Sequence, residues 1–349
     1  MPLATWIVAA LLLTVTAEAR GGQSSAPDGL PPTPETTVAG PEQPFDQWLA
    51  ALITEARGRG FSQQVIDATL VGLQPLERVV TRDTSQAELT LTFDLYIRTR
   101  VTPSLVRLGR RRAAAQRPIL TRIQREYGVP ANIVLGIWGL ESHFGSFTGA
   151  TPVFQALATL AWQPRRSAFF RGELYNALTM VSGGFIDAKT MTGSWAGAMG
   201  QPQFMPSSYL AHAVDFDHDG RRDIWRSTPD ALASIANYLR GSGWTAGQTW
   251  GREVSAPPDI RARLQEIPRR ADGCSAKRAM SERRPLSEWR AMGLQTAARQ
   301  PLPSSDMPAA LVDMGDRLFL VYPNYDALLD YNCAHLYALS VALLGDRLR

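Results

Sequence analysis

Residues 130–145, PANIVLGIWGLESHFG, are the stretch that decides the fold. Pro130 stands where a helix can begin and Gly145 where one can end, and the residues between them are strongly apolar. The spacing of Ile133, Ile137 and Leu140 places much of the helix surface in a core. The sequence therefore predicts a largely buried helix over this stretch.

Glu141 follows the apolar run of this helix. A carboxylate in such surroundings costs free energy unless it is paired or protonated, because desolvation raises its pKa. A raised pKa suits a general acid at neutral pH, so Glu141 is the first candidate for catalysis. A salt-bridged structural glutamate is the alternative. His143, close to the helix end, is assigned no role.

The segments around this helix are also predicted to be mainly helical. Helical spacing of apolar residues extends over 45–128 and returns over 155–161, 169–181, 207–214, 230–240 and 325–344, and capping-type residues open the helices at Ser207 and Asp230. Short strands are expected at 250–254, 309–313 and 318–322, separated by loops rich in Pro, Gly and Arg. The fold class is therefore mainly α (α+β), with a small mixed lobe.

The N-terminal 44 residues predict export. Residues 6–15 are an apolar run too short to span a bilayer, and Ala17-Glu18-Ala19 follows as a small-x-small cleavage pattern. We expect a signal peptide over 1–19, with an N-terminal anchor as the alternative. Residues 20–44 have the composition of a flexible linker. No later segment is long and apolar enough to cross a membrane, so a periplasmic mature protein is expected, cleaved near Ala19.

Composition excludes several classes of protein. The 349 residues are 45% hydrophobic and 19% charged, which argues against disorder throughout, collagen and coiled coil. The formal net charge of +4 is too small for a dedicated nucleic-acid binder but suits an anionic polymer. The four histidines do not form a zinc-ligand pattern, so a zinc hydrolase is poorly supported.

Cys274 and Cys333 are the two cysteines of the chain. In an exported protein a disulfide between them is expected, and two unrelated buried thiols are the alternative.

A second group of candidate residues lies in 194–209, SWAGAMGQPQFMPSSY. Small residues let the backbone approach a ligand closely, while Ser, Gln, Trp and Tyr offer hydrogen bonds and flat surfaces of the kind that sugars use. An ordinary packed loop would fit the same composition.

A third group, residues 215–225, has the pattern of a calcium loop. Asp215, Asp217 and Asp219 occupy positions 1, 3 and 5, with a glycine at position 6 and an aspartate at position 9. At position 12, Arg226 replaces the usual bidentate glutamate. Asp230 could supply the missing carboxylate, or it could simply cap the next helix.

Taken together, these motifs resemble the lytic murein transglycosylase B family. The resemblance rests on ESHFG at 141–145, the 194–209 segment, the Asp-rich loop, ANYL at 236–239 and Tyr331-Asn332, and it covers residues 45–349. It implies a goose-lysozyme-like helical catalytic core over 129–244 with its calcium loop at 215–230. A helical flank would occupy 45–128, a small mixed α/β lobe 245–324, and a C-terminal helix over 325–349 would line the cleft.

The resemblance also assigns roles to residues. Glu141 corresponds to the catalytic glutamate of the family, and Phe169 takes the place of a cleft tyrosine, so that a hydroxyl is lost there. The remaining substrate-binding residues would be Ser194, Gln203, Phe204, Tyr238, Tyr331, Asn332 and Tyr337. The calcium ligands would be Asp215, Asp217, Asp219, the carbonyl of Arg221, and Asp230, which is shifted by one residue from the family pattern.

The mechanism implied by the resemblance uses one carboxylate twice. No second acid stands beside Glu141 in its motif or in 194–209, as a two-carboxylate glycosidase would need. Glu141 would protonate the oxygen of the β-1,4 bond between N-acetylmuramic acid and N-acetylglucosamine. It would then activate the muramyl 6-hydroxyl to attack C1, giving a 1,6-anhydro product. A lysozyme-type hydrolase and a non-catalytic wall-binding protein are the alternatives. Peptidoglycan strands are the expected partner, with other cell-wall enzymes as further candidates.

Overall fold

The computed structural model describes residues 41–84 and 92–349, so the predicted signal peptide and nearly all of the predicted linker lie outside the described residues. The first part of the described chain is helical, as expected. Its helices are α1 Phe45–Gly58, α2 Gln63–Thr69, α3 Glu77–Thr84, α4 Phe93–Arg100, α5 Pro103–Ala115 and α6 Arg117–Tyr127.

The central part is built around the predicted buried helix, α7, which ends one residue after Glu141. Its elements are α7 Ala131–Ser142, β1 Thr151–Pro152, α8 Val153–Trp162, α9 Ser167–Ser182, a 3-10 turn Ala188–Thr190, β2 Thr192–Gly193, α10 Pro206–His212 and α11 Thr228–Gly241. The expected caps are wrong at two helices. Helix α10 begins with Pro206 after Met205 and has no side-chain cap, and Ser227 rather than Asp230 caps α11.

The predicted mixed lobe contains a five-stranded antiparallel sheet. Its elements are β3 Gly251–Ser255, α12 Pro258–Leu264, α13 Ser275–Ala279, β4 Arg284–Pro285, α14 Leu286–Ala291, β5 Gln295–Thr296, β6 Pro308–Asp313 and β7 Leu318–Val321. The strand order is β4-β6-β7-β3-β5, and the fully buried strand β7 is central, with Val321 opposite Ala310 on one side and Gly251 on the other. The three longer strands match the predicted positions within about one residue.

The prediction of a single C-terminal helix over 325–344 is wrong. The chain forms two helices, α15 Asn324–Tyr331 and α16 His335–Arg347, which are bent by 119° at the break between them. Asn332 and Ala334 have extended backbone, and Cys333 between them is bridged to Cys274, with the Cα atoms 6.2 Å apart. The predicted disulfide therefore fixes the corner between the two helices.

Two large apolar clusters share the helical flank between them. Helices α1 to α3 pack with α8 and α9, whereas α4 to α6 pack with α7, α11 and α16. The contact of α7 with α16 is especially close, because a Cβ on Gly136 would lie 2.6 Å from the carbonyl oxygen of Val341. Only glycine permits this approach, which brings the helix of Glu141 against the last helix of the chain.

In the described part of the chain, no single helix combines the length and apolar character needed to cross a bilayer; α15 and α16 reach both only when taken together across their bend.

Candidate active site

A tight turn ends α7 immediately after Glu141. His143, Phe144 and Gly145 have φ values of 51°, 58° and 80°, so three successive residues adopt the left-handed conformation. The Ser142 hydroxyl oxygen accepts a 3.0 Å hydrogen bond from the Gly145 amide and stabilises the turn. The turn therefore ends the helix one residue after Glu141, whose side chain contacts Tyr337 of α16.

The Glu141 carboxyl lies in a poorly solvated position and has one described side-chain hydrogen bond. Tyr337 of α16 donates to Oε1 at 2.6 Å. Burial raises the pKa of Glu141 to about 7, and the Tyr337 hydroxyl and the Arg100 guanidinium reduce that rise. Near neutral pH the group therefore exchanges readily between acid and base, as general acid–base catalysis requires.

The corner between α15 and α16 builds one wall of the cleft. The rings of Tyr331 and Tyr337 are stacked with centroids 6.4 Å apart, and Tyr238 lies 4.7 Å from Tyr331. Phe204 completes this group, 5.6 Å from Tyr238. We call Phe204, Tyr238, Tyr331 and Tyr337 the aromatic wall.

Backbone carbonyls hold two hydroxyls of the aromatic wall. Tyr331 donates to the Pro202 carbonyl at 2.6 Å, and Tyr238 donates to the Asp330 carbonyl at 2.7 Å. The first bond joins α15 to the 194–209 segment, and the second joins α11 to α15. These bonds fix the orientation of the Tyr238 and Tyr331 rings, and each hydroxyl already donates its proton to a backbone carbonyl.

The 194–209 segment forms the neighbouring part of the cleft. The Ser194 oxygen accepts hydrogen bonds from the Ala196 and Ala198 amides, and the Gln203 side-chain nitrogen donates to the carbonyls of Thr148 and Gly200. Among the residues that the structure describes, none forms a hydrogen bond with the Ser194 hydroxyl proton or the Gln203 carbonyl oxygen. The predicted polar residues are thus presented by a rigid turn.

A buried glutamine joins this segment to α7, and the sequence reasoning missed it. Gln201 accepts a 2.8 Å hydrogen bond from the Trp138 indole and donates to the Trp225 carbonyl. Nearby, a Cβ on Gly149 would lie 2.1 Å from the Gly193 carbonyl group, so the loop after Glu141 runs directly against the segment. These contacts set the distance between Glu141 and the polar turn.

Two residues of α4 were also missed. Arg100 limits the rise in the pKa of Glu141 that burial causes. Burial, and to a smaller extent the Glu141 charge, raises the pKa of Tyr96, whose ring centroid lies 5.5 Å from the Arg100 guanidinium. Both belong to the flank, some 40 positions before Glu141, and no local motif marks them. The flank therefore contributes electrostatically to the site as well as supporting it.

The last two predicted cleft residues differ in their surroundings. Asn332 follows Tyr331 at the corner, and its buried side-chain oxygen has no hydrogen-bond partner among the described residues. Phe169 is 42% exposed on α9 and packs edge-on against Phe170 at 5.1 Å, so its ring has a free face.

The Asp-rich loop gathers three of the four predicted carboxylates. Ligand oxygens of Asp215, Asp217 and Asp230 all lie within 4.8 Å of one another. Asp230 is fully buried and accepts hydrogen bonds from the amides of Phe216, Asp217 and Asp223, so it organises the loop from inside. Hard carboxylate oxygens in such a group fit Ca²⁺.

The fourth predicted carboxylate, Asp219, lies outside this group. Asp219 is exposed and accepts a hydrogen bond from the Arg221 amide, while its own amide donates to Asp215 and Asp217. The predicted contribution of the Arg221 carbonyl stays a prediction. Among the predicted carboxylates, the geometry brings together Asp215, Asp217 and Asp230 but not Asp219.

The sequence matches one family model over nearly all of its described part. Residues 44–346 match the model described as "Transglycosylase SLT domain". The chain belongs to the transglycosylase SLT domain family. The resemblance to lytic murein transglycosylases found in the sequence is thereby confirmed.

Relatives of this transglycosylase family have been characterised and solved. The chain is 36% identical over 230 residues to the membrane-bound lytic murein transglycosylase B of Escherichia coli strain K12, a match that covers 65% of this chain and 59% of the relative. The chain thus spans less than two thirds of that relative's length.

Solved members of the family share the fold. SltB3 from Pseudomonas aeruginosa, in complex with NAG-anhNAM-pentapeptide, is 42% identical with a TM-score of 0.79, covering 88% of this chain and 80% of that one. The Escherichia coli lytic transglycosylase Slt35 in complex with calcium is 30% identical with a TM-score of 0.71, covering 88% and 93%. The predicted lysozyme-like, mainly α transglycosylase fold is confirmed.

Proposed function

We propose that the chain is a peptidoglycan lytic transglycosylase that cleaves the β-1,4 bond between N-acetylmuramic acid and N-acetylglucosamine. The observation that carries the proposal is the Glu141 carboxyl, with its pKa raised to about 7 and its hydrogen bond from Tyr337, beside an aromatic wall. Family membership and the SltB3 complexes with peptidoglycan fragments support the substrate class. Such a substrate places the enzyme outside the cytoplasm, and the periplasm is the proposed compartment.

Glu141 acts first as the acid. In its neutral form it donates its proton to the glycosidic oxygen as the bond from that oxygen to C1 of the muramyl sugar breaks. Tyr337 donates to Oε1, which leaves Oε2 to carry the proton toward the substrate. Burial favours this neutral form at neutral pH, because it disfavours the charged carboxylate.

Glu141 acts next as the base. The carboxylate takes the proton of the muramyl 6-hydroxyl while that oxygen bonds to C1, so the glutamate ends the reaction in its starting form. The substrate's N-acetyl group assists at C1. One C–O bond breaks, one forms, and no water is consumed. A single carboxyl suffices, and its pKa is set by burial, the Tyr337 hydroxyl and Arg100 rather than by a neighbouring carboxylate.

The remaining cleft residues hold the sugar rings. The partly exposed rings of Tyr238 and Tyr331 stack against the apolar faces of pyranoses. The polar side chains of Ser194, Gln203 and Asn332 bind hydroxyl or N-acetyl groups. Phe169 offers its exposed ring as a further contact. The division between ring faces and a few fixed polar atoms is typical of a carbohydrate site.

A calcium ion is the proposed cofactor, with a structural role. Asp215, Asp217 and Asp230 would hold it, and when bound it would supply positive charge to a loop in which carboxylates otherwise repel one another. Glu141 is not among these residues. The Escherichia coli Slt35 of the same fold was solved in complex with calcium, which supports the choice of metal.

Incubation with purified sacculi, followed by mass spectrometry of the soluble products, tests the proposed function. We expect 1,6-anhydromuramyl products, each one water lighter than a hydrolysis product, and none from Glu141→Gln. Glu126→Gln makes the same chemical change at an exposed site and should keep full activity. Reducing muramyl ends would identify a hydrolase, and binding without any cleavage would identify a non-catalytic wall protein.

A further inference from the structure

The positive charge of the chain is concentrated in α4 to α6. Residues 93–127 contain nine arginines and only two acids, Asp94 and Glu126, a net charge of +7. The whole chain carries +4, so the remaining residues together carry −3. A mildly basic protein is therefore strongly polarised, with its excess positive charge on three consecutive helices.

Five of these arginines are exposed on α5 and α6. Arg107, Arg110 and Arg111 lie on the outer side of α5, and Arg117 and Arg125 lie on α6. None of the five forms an ion pair with a residue in the described ranges 41–84 and 92–349. We call this set the arginine face.

The inner sides of the same two helices are buried. The residues that pack inward are Leu105, Val106 and Gly109 of α5 and Leu120, Ile123 and Tyr127 of α6. Both helices pack against α7, so their outer sides are turned away from the core. The arginine face is thus fixed by the packing of two helices and does not depend on a loop.

The arginine face is remote from the aromatic wall. Arg110 donates two hydrogen bonds, of 3.2 and 3.1 Å, to the carbonyl of Arg347 at the end of α16. Tyr337, which contacts Glu141, lies in the first turn of that helix, and ten residues of helix span about 15 Å. These arginines therefore serve a surface other than the bond being cut.

The chemistry of the face favours phosphate groups over sugar rings. No aromatic side chain is exposed on α5 or α6, both of which the structure describes in full; alanine, proline, threonine and glutamine lie between the arginines. The planar guanidinium binds phosphate through paired hydrogen bonds, and a broad face of such groups suits a layer of anionic headgroups.

We propose that the arginine face docks the protein onto an anionic lipid surface, with phospholipid headgroups as the ligand. The five guanidiniums, none of them neutralised by an ion pair among the described residues, provide the attraction, and the Arg110 contact at the end of α16 lies about 15 Å along that helix from Tyr337. Membrane docking of this kind keeps a wall-cutting enzyme at the boundary of its compartment. It adds to the proposed function and does not require that function to be correct.

Vesicle flotation of the full chain tests the proposal. Vesicles of phosphatidylcholine containing phosphatidylglycerol should bind the protein at low salt, with binding lost as salt screens the charges. Vesicles of phosphatidylcholine alone measure any binding by the rest of the chain. Arg107→Gln with Arg111→Gln should weaken binding to the anionic vesicles about twenty-fivefold, since each arginine near such a surface contributes about fivefold.

A matched control removes the same charge elsewhere. Arg78 and Arg82 are exposed on α3 with the same spacing of four residues, but they lie beside Glu77 and Asp83. Arg78→Gln with Arg82→Gln should change binding less than twofold, and both double variants should keep the wild-type melting temperature. Equal binding to neutral and anionic vesicles, or an unchanged affinity of the Arg107/Arg111 variant, overturns the proposal. The proposal is also overturned if the Arg107/Arg111 variant binds anionic vesicles as the wild type does but is no longer retained on purified sacculi, because the partner is then a wall polymer.

Discussion

Tyr337 donates a 2.6 Å hydrogen bond to Oε1 of Glu141, across 196 positions of sequence. The tyrosine keeps its proton, because burial and the Glu141 charge raise its own pKa well above the ordinary value. The bond stabilises the charged form of Glu141 and limits the rise in the pKa of that residue. The last helix of the chain thus adjusts the acid strength of the candidate catalytic residue.

Removing that hydroxyl should shift the pH dependence of the reaction. In Tyr337→Phe the pKa of Glu141 rises above about 7, because the bond that lowers it is lost. The alkaline limb of kcat should move upward by about one pH unit, with kcat itself reduced, since one hydrogen bond to a charged group contributes about 1.5 kcal/mol. A pH–rate series on sacculi measures this shift. Tyr322→Phe, in the lobe, should leave the profile unchanged; an identical profile for both variants would contradict the role of Tyr337.

Glu141 should reduce stability at high pH. Its pKa is about 7 in the folded protein against an ordinary 4.5, so the folded state binds the proton more tightly. The associated stability is fully present below pH 4.5 and is lost as the pH rises through 7. Glu141→Gln should therefore raise the free energy of unfolding at pH 8 by about 1–3 kcal/mol, and the melting temperature with it. At pH 4.5 it should change both little. Calorimetry at the two pH values decides the point, and equal effects at both would refute it.

Calcium should stabilise the fold without entering the chemistry. A metal that binds only the native state raises the free energy of unfolding by about 2.7 kcal/mol at a hundred times its dissociation constant. Asp217→Asn should abolish the rise in melting temperature, because Asp217 belongs to the carboxylate group. Asp219→Asn should retain most of it, because Asp219 lies outside that group. A melting temperature that neither calcium nor chelator changes would rule the site out.

Reduction of the Cys274–Cys333 bond should loosen the cleft. The bridge joins residues 59 positions apart, and losing it should cost about 4 kcal/mol, or roughly 10 °C in melting temperature. Cys333 lies in the corner between Tyr331 and Tyr337, so KM for glycan strands should rise as well. Cys274→Ser with Cys333→Ser should reproduce both effects and no longer respond to reductant. A fall in melting temperature with KM unchanged would separate the bridge from the cleft.

The sequence predicted the elements whose signals are local. Pro130, Gly145 and the apolar run between them define α7, and apolar residues between turn-forming loops define β6 and β7. The break at Asn332 was not predictable in this way. Helical apolar spacing continues across it, from Leu328 and Leu329 to Leu336 and Leu339, and the bend arises where the Cys274 bridge and the packing of α16 on α7 take hold.

In the candidate site too, residues with a local sequence pattern were predictable and residues placed by tertiary packing were not. Glu141 and the Asp-rich loop have local patterns. Asp230 fitted either a carboxylate of the loop or a helix cap, and its burial and its three hydrogen bonds from backbone amides favour the loop. Arg100 acts on Glu141 only because α4 packs beside α16. Such a contribution is created by tertiary packing, and no spacing within α4 indicates it.

The corner between α15 and α16 also sets the order in which the site can be completed. Glu141, the polar turn and Tyr238 all precede residue 250, whereas Tyr337 follows Glu141 by 196 positions. A chain synthesised from its N-terminus therefore contains Glu141 long before it contains the hydroxyl that adjusts its pKa. The candidate site is complete only after α16 has docked on α7.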